Sequence, residues 1–239
     1  MNPYKIDNIG QLIKDNEYVG RGIVVGKTAD AKKAAVAYFI MGRSENSRNR
    51  VFVENGEEVI IHPFDPSKVE DPSLIIYSPI RVFENNLIVT NGDQTDTIYD
   101  FVSNEKTFSE ALETREFEPD FPNFTPRISA MLTFCENDFT YQMSILKSAD
   151  EKGTACNRYT FMYPALSGTV HFIHTYQHDG NPIPTFCGEP ERIEIPNDID
   201  DFTNTIWNNL NEQNKISIYV RFVDLATGEI ENRMINKNK

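Results

Sequence analysis

The chain has 239 residues, 39% hydrophobic and 11% aromatic, a composition that suits a folded core rather than a disordered segment. One sizeable domain fits that length. A formal charge of −13 disfavours nonspecific binding to nucleic acid or to an anionic membrane, but leaves room for a small anion held by local positive charge.

No run of 18 apolar residues occurs, so no transmembrane helix is expected. The opening residues 1–7 lack the basic, apolar and small-residue regions of a secretory signal. Cys135, Cys156 and Cys187 are odd in number and widely spaced, without a Cys-x-x-Cys pair. Free thiols in the cytoplasm account for them best.

In chain order, residues 18–26 read as a strand interrupted by glycine, and 34–41 as a strand apolar enough to be buried on both faces. Residues 26–30 between them read as a hairpin connection. Strands are then expected at 51–53, 59–61, 74–77, 80–83 and 87–89, with a turn over Glu84, Asn85 and Asn86. A helix should start near Thr95 or Asp96, capped by Asp96, with Ile98, Phe101 and Val102 at helical spacing. A second short helix is expected at 108–117. Residues 125–131 open either a helix, with Pro126 in its first turn, or a strand. Strands return at 139–146, 159–163, 170–176 and 192–195. An amphipathic helix follows at 198–211, with Ile199, Phe202, Ile206, Trp207 and Leu210 inward, and 216–223 is expected as the final strand. Runs of strands with a few segregated helices give an α+β fold, in one domain without repeats.

Four polar stretches carry chemistry. Residues 90–97 (Thr-Asn-Gly-Asp-Gln-Thr-Asp-Thr) directly follow an apolar strand and offer amides, hydroxyls and two carboxylates at close range, although Asn-Gly is also a common turn signal. Residues 42–50 hold Arg43, Arg48 and Arg50 among serines and asparagines, and a guanidinium fork suits phosphate oxygens. Tyr77 and Arg81 could polarise a carbonyl. Residues 116–127 alternate acids with aromatics and prolines, surroundings that raise a carboxyl pKa and suit it to general acid–base work. His171 and His174 fall in a strand, where their spacing puts them on opposite faces, which speaks against a metal site. No Gly-x-Ser-x-Gly elbow, phosphate-binding Gly-x-x-x-x-Gly-Lys loop or dinucleotide fingerprint occurs.

Taken together, the segments Tyr18-Val19-Gly20-Arg21, Ala37-Tyr38 with Arg43-Ser44, Tyr77 with Ile80-Arg81, Thr90-Asn91-Gly92 with Thr95-Asp96-Thr97-Ile98, and Thr125-Pro126-Arg127-Ile128 resemble the archaeal-type IMP cyclohydrolases in order and content. The resemblance spans residues 18–131, leaving 1–17 as an extension and the last hundred residues without a matched motif. It implies a four-layer αββα sandwich similar to the N-terminal-nucleophile hydrolases, two stacked antiparallel sheets, without self-processing. No Cys, Ser or Thr stands where a mature N-terminal nucleophile would. The implied reaction closes the purine ring of 5-formamidoimidazole-4-carboxamide ribonucleotide, giving IMP and water, and needs no metal or organic cofactor.

On that resemblance, Tyr77, Arg81 and Asn91 are candidates to stabilise the formyl oxygen. Glu118 is the candidate proton shuttle, with Glu116 and Asp120 as alternatives. Arg21, Arg43, Arg48, Arg50 and Arg127 are candidates for the phosphate and for orienting the base, with Tyr38, Gly92, Asp93 and Thr125 also on the substrate. The basic loop is longer than the family's, so either Arg48 or Arg50 could match its arginine. The resemblance leaves a homo-oligomer open. A non-catalytic purine-ribonucleotide-binding protein and an amidohydrolase of the N-terminal-nucleophile type are the alternatives.

Overall fold

Side-chain alternation along the strands decides the layering. The computed structural model describes residues 4–69 and 76–238. Strand β1 (Arg21–Lys27) pairs antiparallel with β2 (Lys33–Met41). In β2, Ala34, Val36, Tyr38 and Ile40 join one apolar cluster, while Ala35, Ala37, Phe39 and Met41 join another. Both faces are therefore buried, as a continuous apolar run requires.

Strands β3 (Val51–Asn55), β4 (Glu58–His62), β5 (Ile80–Phe83), β6 (Asn86–Thr90), β7 (Arg127–Cys135), β8 (Asp138–Ser148) and β9 (Cys156–Pro164) follow in sequence and form a seven-stranded antiparallel meander in that order. Strands β10 (Val170–His174), β11 (Glu191–Ile193), β12 (Lys215–Asp224) and β13 (Ile230–Asn236) complete a six-stranded sheet of order β11-β10-β1-β2-β12-β13. Ile23, Tyr38 and Tyr219 of one sheet meet Ile80, Val89 and Ala130 of the other in a shared core. Helices α1 (Ile9–Lys14) and α5 (Ile199–Asn209) cover the outer face of the six-stranded sheet. Beyond the seven-stranded sheet, α3 (Gln94–Ser103) and α4 (Phe108–Glu113) pack on Ile88, Met131 and Leu146, and a short α2 (Glu45–Arg48) sits in the basic loop. The result is the α+β sandwich of two stacked antiparallel sheets between helix layers.

Several local expectations are corrected. The first strand starts at Arg21, because Gly20 sits at φ +79° and breaks the extended run. The expected strand at 74–77 lies partly outside the described residues, and Tyr77 itself is irregular. Helix α3 begins at Gln94 with Asp93 at its N-cap, whereas Asp96 lies in the first turn and pairs with Arg81. Helix α4 stops at Glu113: the Thr107–Glu110 capping box fixes its start, and Phe117 turns away to pack on Phe124. Of residues 125–131, those from Arg127 onward form strand β7 rather than a helix. The final strand is β13, whose mixed Glu-Asn-Arg pattern suits a half-exposed edge and hid it from periodicity. Residues 1–17 include α1, packed against α5 as part of the helical layer.

Candidate active site

The starts of β1, β3 and β7 and the ends of β2 and β10 converge on one end of the sandwich. A cleft of about 380 Å³ opens there, within the size range of small-molecule sites. It is lined by Tyr18, Arg21, Arg43, Ser44, Asn46, Ser47, Arg50, Glu118, Asp120, Asn123, Thr125, Tyr176 and Ile183. A larger hollow of about 650 Å³ lies between α1 and α5. Its lining contains no Lys, Arg or His, so it offers no cation for an anionic ligand.

Arg21 is placed by the turn before it. A Cβ on Gly20 would collide with Thr175 Oγ1 and the Tyr176 ring, so only glycine lets the chain pass this close and aim Arg21 inward. Arg21 and Arg50 are buried, at 9% and 7% exposure. Neither guanidinium forms a hydrogen bond or an ion pair among the described residues, and the Nε of each is enclosed without a partner. Buried cations are normally paired, so two unpaired ones in a cleft mark a preformed site for anionic or carbonyl oxygens. Burial lowers the Arg50 pKa, and the nearby Arg21 charge lowers it further. Burial also opposes the Arg21 charge, but Tyr18, Glu118, Tyr176 and Tyr77 outweigh it and raise the pKa.

Glu118 faces these arginines. Its carboxyl accepts no hydrogen bond among the described residues, and enclosure by protein raises its pKa above the ordinary 4.5. Arg21, Arg127 and Arg50 pull it back, while Asp120 adds to the rise. Close by, Tyr38 and Tyr77 share a hydrogen bond of 3.1 Å between their hydroxyls. Burial raises both phenols, Tyr38 well above its ordinary value, so both remain protonated donors.

The polar octet after β6 forms the structure beside the cleft. Asn91 is buried; its Nδ2 donates to Pro126 O (2.9 Å), and its Oδ1 accepts from Ile128 N (2.9 Å) and Gln94 Nε2 (3.0 Å). It therefore splices the end of β6 to the start of β7. Thr90 Oγ1 and Thr95 Oγ1 lie 2.6 Å apart and close the turn. A Cβ on Gly92 would strike the Arg127 guanidinium, which bonds Asp93 and Gln94, each at 2.7 Å. Burial works against the Asp93 carboxylate, but hydrogen bonds and charge from Arg115 and Arg127 hold its pKa below the ordinary range. Asp93 is thus an ionised anchor for both arginines.

Two residues from the expected set lie elsewhere. Arg81 is on the outer face of the seven-stranded sheet, bonded to Glu58 (3.0 Å) and Asp96 (2.8 Å) and stacked 3.6 Å from the Tyr99 ring. Arg48 turns to Gly42 O (3.0 Å) and Asn214 Oδ1 (2.9 Å), leaving Arg43, which pairs with Asp179, and the unpaired Arg50 as the cleft arginines of that loop. Glu116 is exposed beside Arg158, so of the three acids Glu118 is the one facing Arg21 and Arg50.

Tyr18, Asn123, Tyr176 and Ile183 enter the cleft without having been singled out as site residues. The only signal for Tyr176 is its position at the end of a strand, because the contact that matters spans 51 residues to Thr125. His171 bonds Tyr141 at 2.6 Å, while His174 stacks on Phe172. Among the described residues no group of three or more His, Cys, Asp or Glu could hold a metal. The three cysteines are free, and no described helix is long and apolar enough to cross a membrane.

Residues 18–228 match the model of the IMP cyclohydrolase-like protein family. The chain belongs to that family. Relatives include the IMP cyclohydrolase of Methanococcus aeolicus, 30% identical over 67% of this chain and 74% of that protein. That of Methanococcus maripaludis is 33% identical over 75% of this chain and 91% of its own length. A shorter match, 41% identical, links 35% of the chain to 40% of the IMP cyclohydrolase of Methanothrix thermoacetophila. The IMP cyclohydrolase-like match therefore covers every cleft residue named above, including those in the C-terminal half.

Proposed function

We propose that the protein is an IMP cyclohydrolase, closing the ring of 5-formamidoimidazole-4-carboxamide ribonucleotide to IMP and water in purine biosynthesis. The observation that carries this reading is the pair of buried, unpaired arginines facing an unbonded glutamate, in a member of the IMP cyclohydrolase-like family. The substrate is an imidazole ribonucleotide that becomes a purine on closure, its phosphate charge offset by Arg21 and Arg50, whereas Arg43 already pairs with Asp179 at 2.5 Å.

Ring closure joins two groups of one molecule. The carboxamide nitrogen attacks the formyl carbon, so holding the two face to face supplies much of the acceleration. The formyl oxygen gains charge as the carbon becomes tetrahedral, and buried guanidiniums and phenols stabilise that charge without reorganising. The carboxamide nitrogen gives up one proton as the oxyanion becomes a hydroxyl. The hydroxyl then leaves as water with a second proton, while the former formamide nitrogen loses its N–H and forms the ring C=N bond. Glu118 suits this transfer because enclosure brings its pKa up from the ordinary carboxylate value toward the working pH.

The test is direct. Purified protein is expected to convert the formamido ribonucleotide to IMP, followed by absorbance and confirmed by chromatography. IMP binding with no rate above the uncatalysed background would leave a nucleotide-binding protein and end the enzyme reading.

The outward placement of Arg81 gives a further expectation. Arg81→Gln leaves kcat and KM within about twofold but lowers stability by about 1 kcal/mol, through loss of its ion pairs and its stacking on Tyr99. Urea melts and steady-state rates check it; a large fall in kcat at unchanged stability would return Arg81 to the mechanism.

A further inference from the structure

Glu118 owes its place to a loop that closes on itself. The Glu118 N–H donates to Thr125 O (2.9 Å), and the Asn123 and Phe124 N–H groups donate to Asp120 O (3.0 and 3.2 Å). The Asp120 carboxylate is the hub, accepting from Thr125 N (2.6 Å) and from Thr125 Oγ1 (2.5 Å). Phe124 is held at φ +43°, a conformation that L side chains rarely adopt, with its ring against Phe117 (5.4 Å) and Phe121 (5.8 Å).

One bond ties this loop to the opposite sheet. Thr125 Oγ1 lies 2.6 Å from Tyr176 Oη, and both side chains are buried. A carboxylate is acceptor-only, so the Thr125 hydrogen goes to Asp120 and the Tyr176 hydroxyl must donate to Thr125. Tyr176, two residues past the end of β10 of the six-stranded sheet, closes over Gly20 and stacks on Tyr18 at 5.7 Å. The same sheet carries Arg21. The donor and acceptor on Thr125 Oγ1 are both engaged, which leaves it little to offer a substrate.

We propose that Thr125 and Tyr176 are positioning residues: the hydroxyl chain from Asp120 through Thr125 to Tyr176 registers the Glu118 loop against the sheet that carries Arg21. The inference rests on the cyclohydrolase reading. The reacting groups must align closely, and a 1 Å shift of an acid–base group costs about 10- to 100-fold in rate. A chain of short bonds crossing between the sheets limits such a shift.

The experiment is a double-mutant cycle. Thr125→Val is expected to lower kcat about 10- to 100-fold while leaving the IMP Kd within about threefold, and Thr125→Ser to recover most of the loss. In a Glu118→Gln background, Thr125→Val is expected to cost almost nothing further, because the residue acts through Glu118. Equal losses in both backgrounds, or a serine variant as poor as valine, would overturn the proposal. Should Thr125→Val fail to fold, Tyr176→Phe, which removes one hydroxyl, runs through the same cycle with the same expectations.

A second readout does not depend on turnover. The Glu118 carboxyl, followed by carbon NMR, is faced by Arg21 from β1, Arg50 before β3, Arg127 from β7, Tyr77, and Asp120 of its own loop. Loosening the loop admits water, so Thr125→Val is expected to move the Glu118 titration down toward the ordinary 4.5. An unmoved titration in the variant would overturn the positioning role. If the wild-type protein closes no ring yet Thr125→Val shifts the Glu118 titration in this way, only the assigned reaction is overturned.

Discussion

Glu118→Gln is expected to lower kcat for ring closure by about 10²- to 10⁴-fold while the Kd for IMP stays within about threefold. Glutamine keeps the volume and a hydrogen-bonding head but can neither give nor take the proton that leaves with the hydroxyl. Unchanged turnover would remove Glu118 from the mechanism. The same variant has a signature in stability. The wild-type carboxyl has a folded pKa raised by burial above its ordinary 4.5, so across that window the folded state binds more protons than the unfolded one. Stability contributed by the neutral acid is full below 4.5 and is lost as pH rises through the raised folded value. Glutamine does not titrate. The melting temperature of Glu118→Gln relative to wild type is therefore expected to climb from pH 4.5 upward and then level. A difference that is flat with pH would show that burial does not act on this carboxyl.

Arg50→Met is expected to weaken IMP binding and strengthen the fold together. A charge-assisted hydrogen bond to a ligand contributes about 1.5–3 kcal/mol, so the Kd rises roughly 10- to 150-fold. In the free protein the guanidinium is buried without a hydrogen bond, and burial and Arg21 already lower its pKa. An apolar side chain of similar length removes that penalty, adding about 1 kcal/mol and about 2–4 °C to the melting temperature. Calorimetry with IMP and thermal melts measure both effects. A destabilised variant that binds IMP normally would make Arg50 structural.

The two outcomes belong together. Arg21, Arg50 and Glu118 each lack a side-chain hydrogen bond among the described residues, and burial opposes the charged form of each. The octet beside them is the reverse. Thr90, Asn91, Gln94 and Thr95 bond to one another and to β7, and Asp93 is locked between two arginines. Satisfied groups build the wall, and the unsatisfied ones are those proposed to meet the ligand.

Sequence by itself determined the layers and the short-range chemistry. Periodicity placed the doubly buried β2, the strands of the meander other than β7, and the apolar face of α5, because alternation and helical spacing are properties of neighbours along the chain. Ordered local motifs around Arg21, Arg43 and the octet pointed to the family, and that resemblance in turn to Glu118, with Glu116 and Asp120 as alternatives. Tertiary structure alone decided which of those groups face the cleft. Arg48 and Arg50 stand two residues apart, yet α2 and the approach to β3 send one to Asn214 and the other to Glu118. Arg81 and Ile80 are adjacent, but the pleat puts Arg81 on the α3 face and Ile80 in the core between the sheets. Tyr176 joins Thr125 only because two sheets stack, and no local pattern records a bond across 51 residues. Chain neighbours fix what an element is; sheet packing fixes which side chains end up unpaired beside one another, and those are the ones proposed to carry the chemistry.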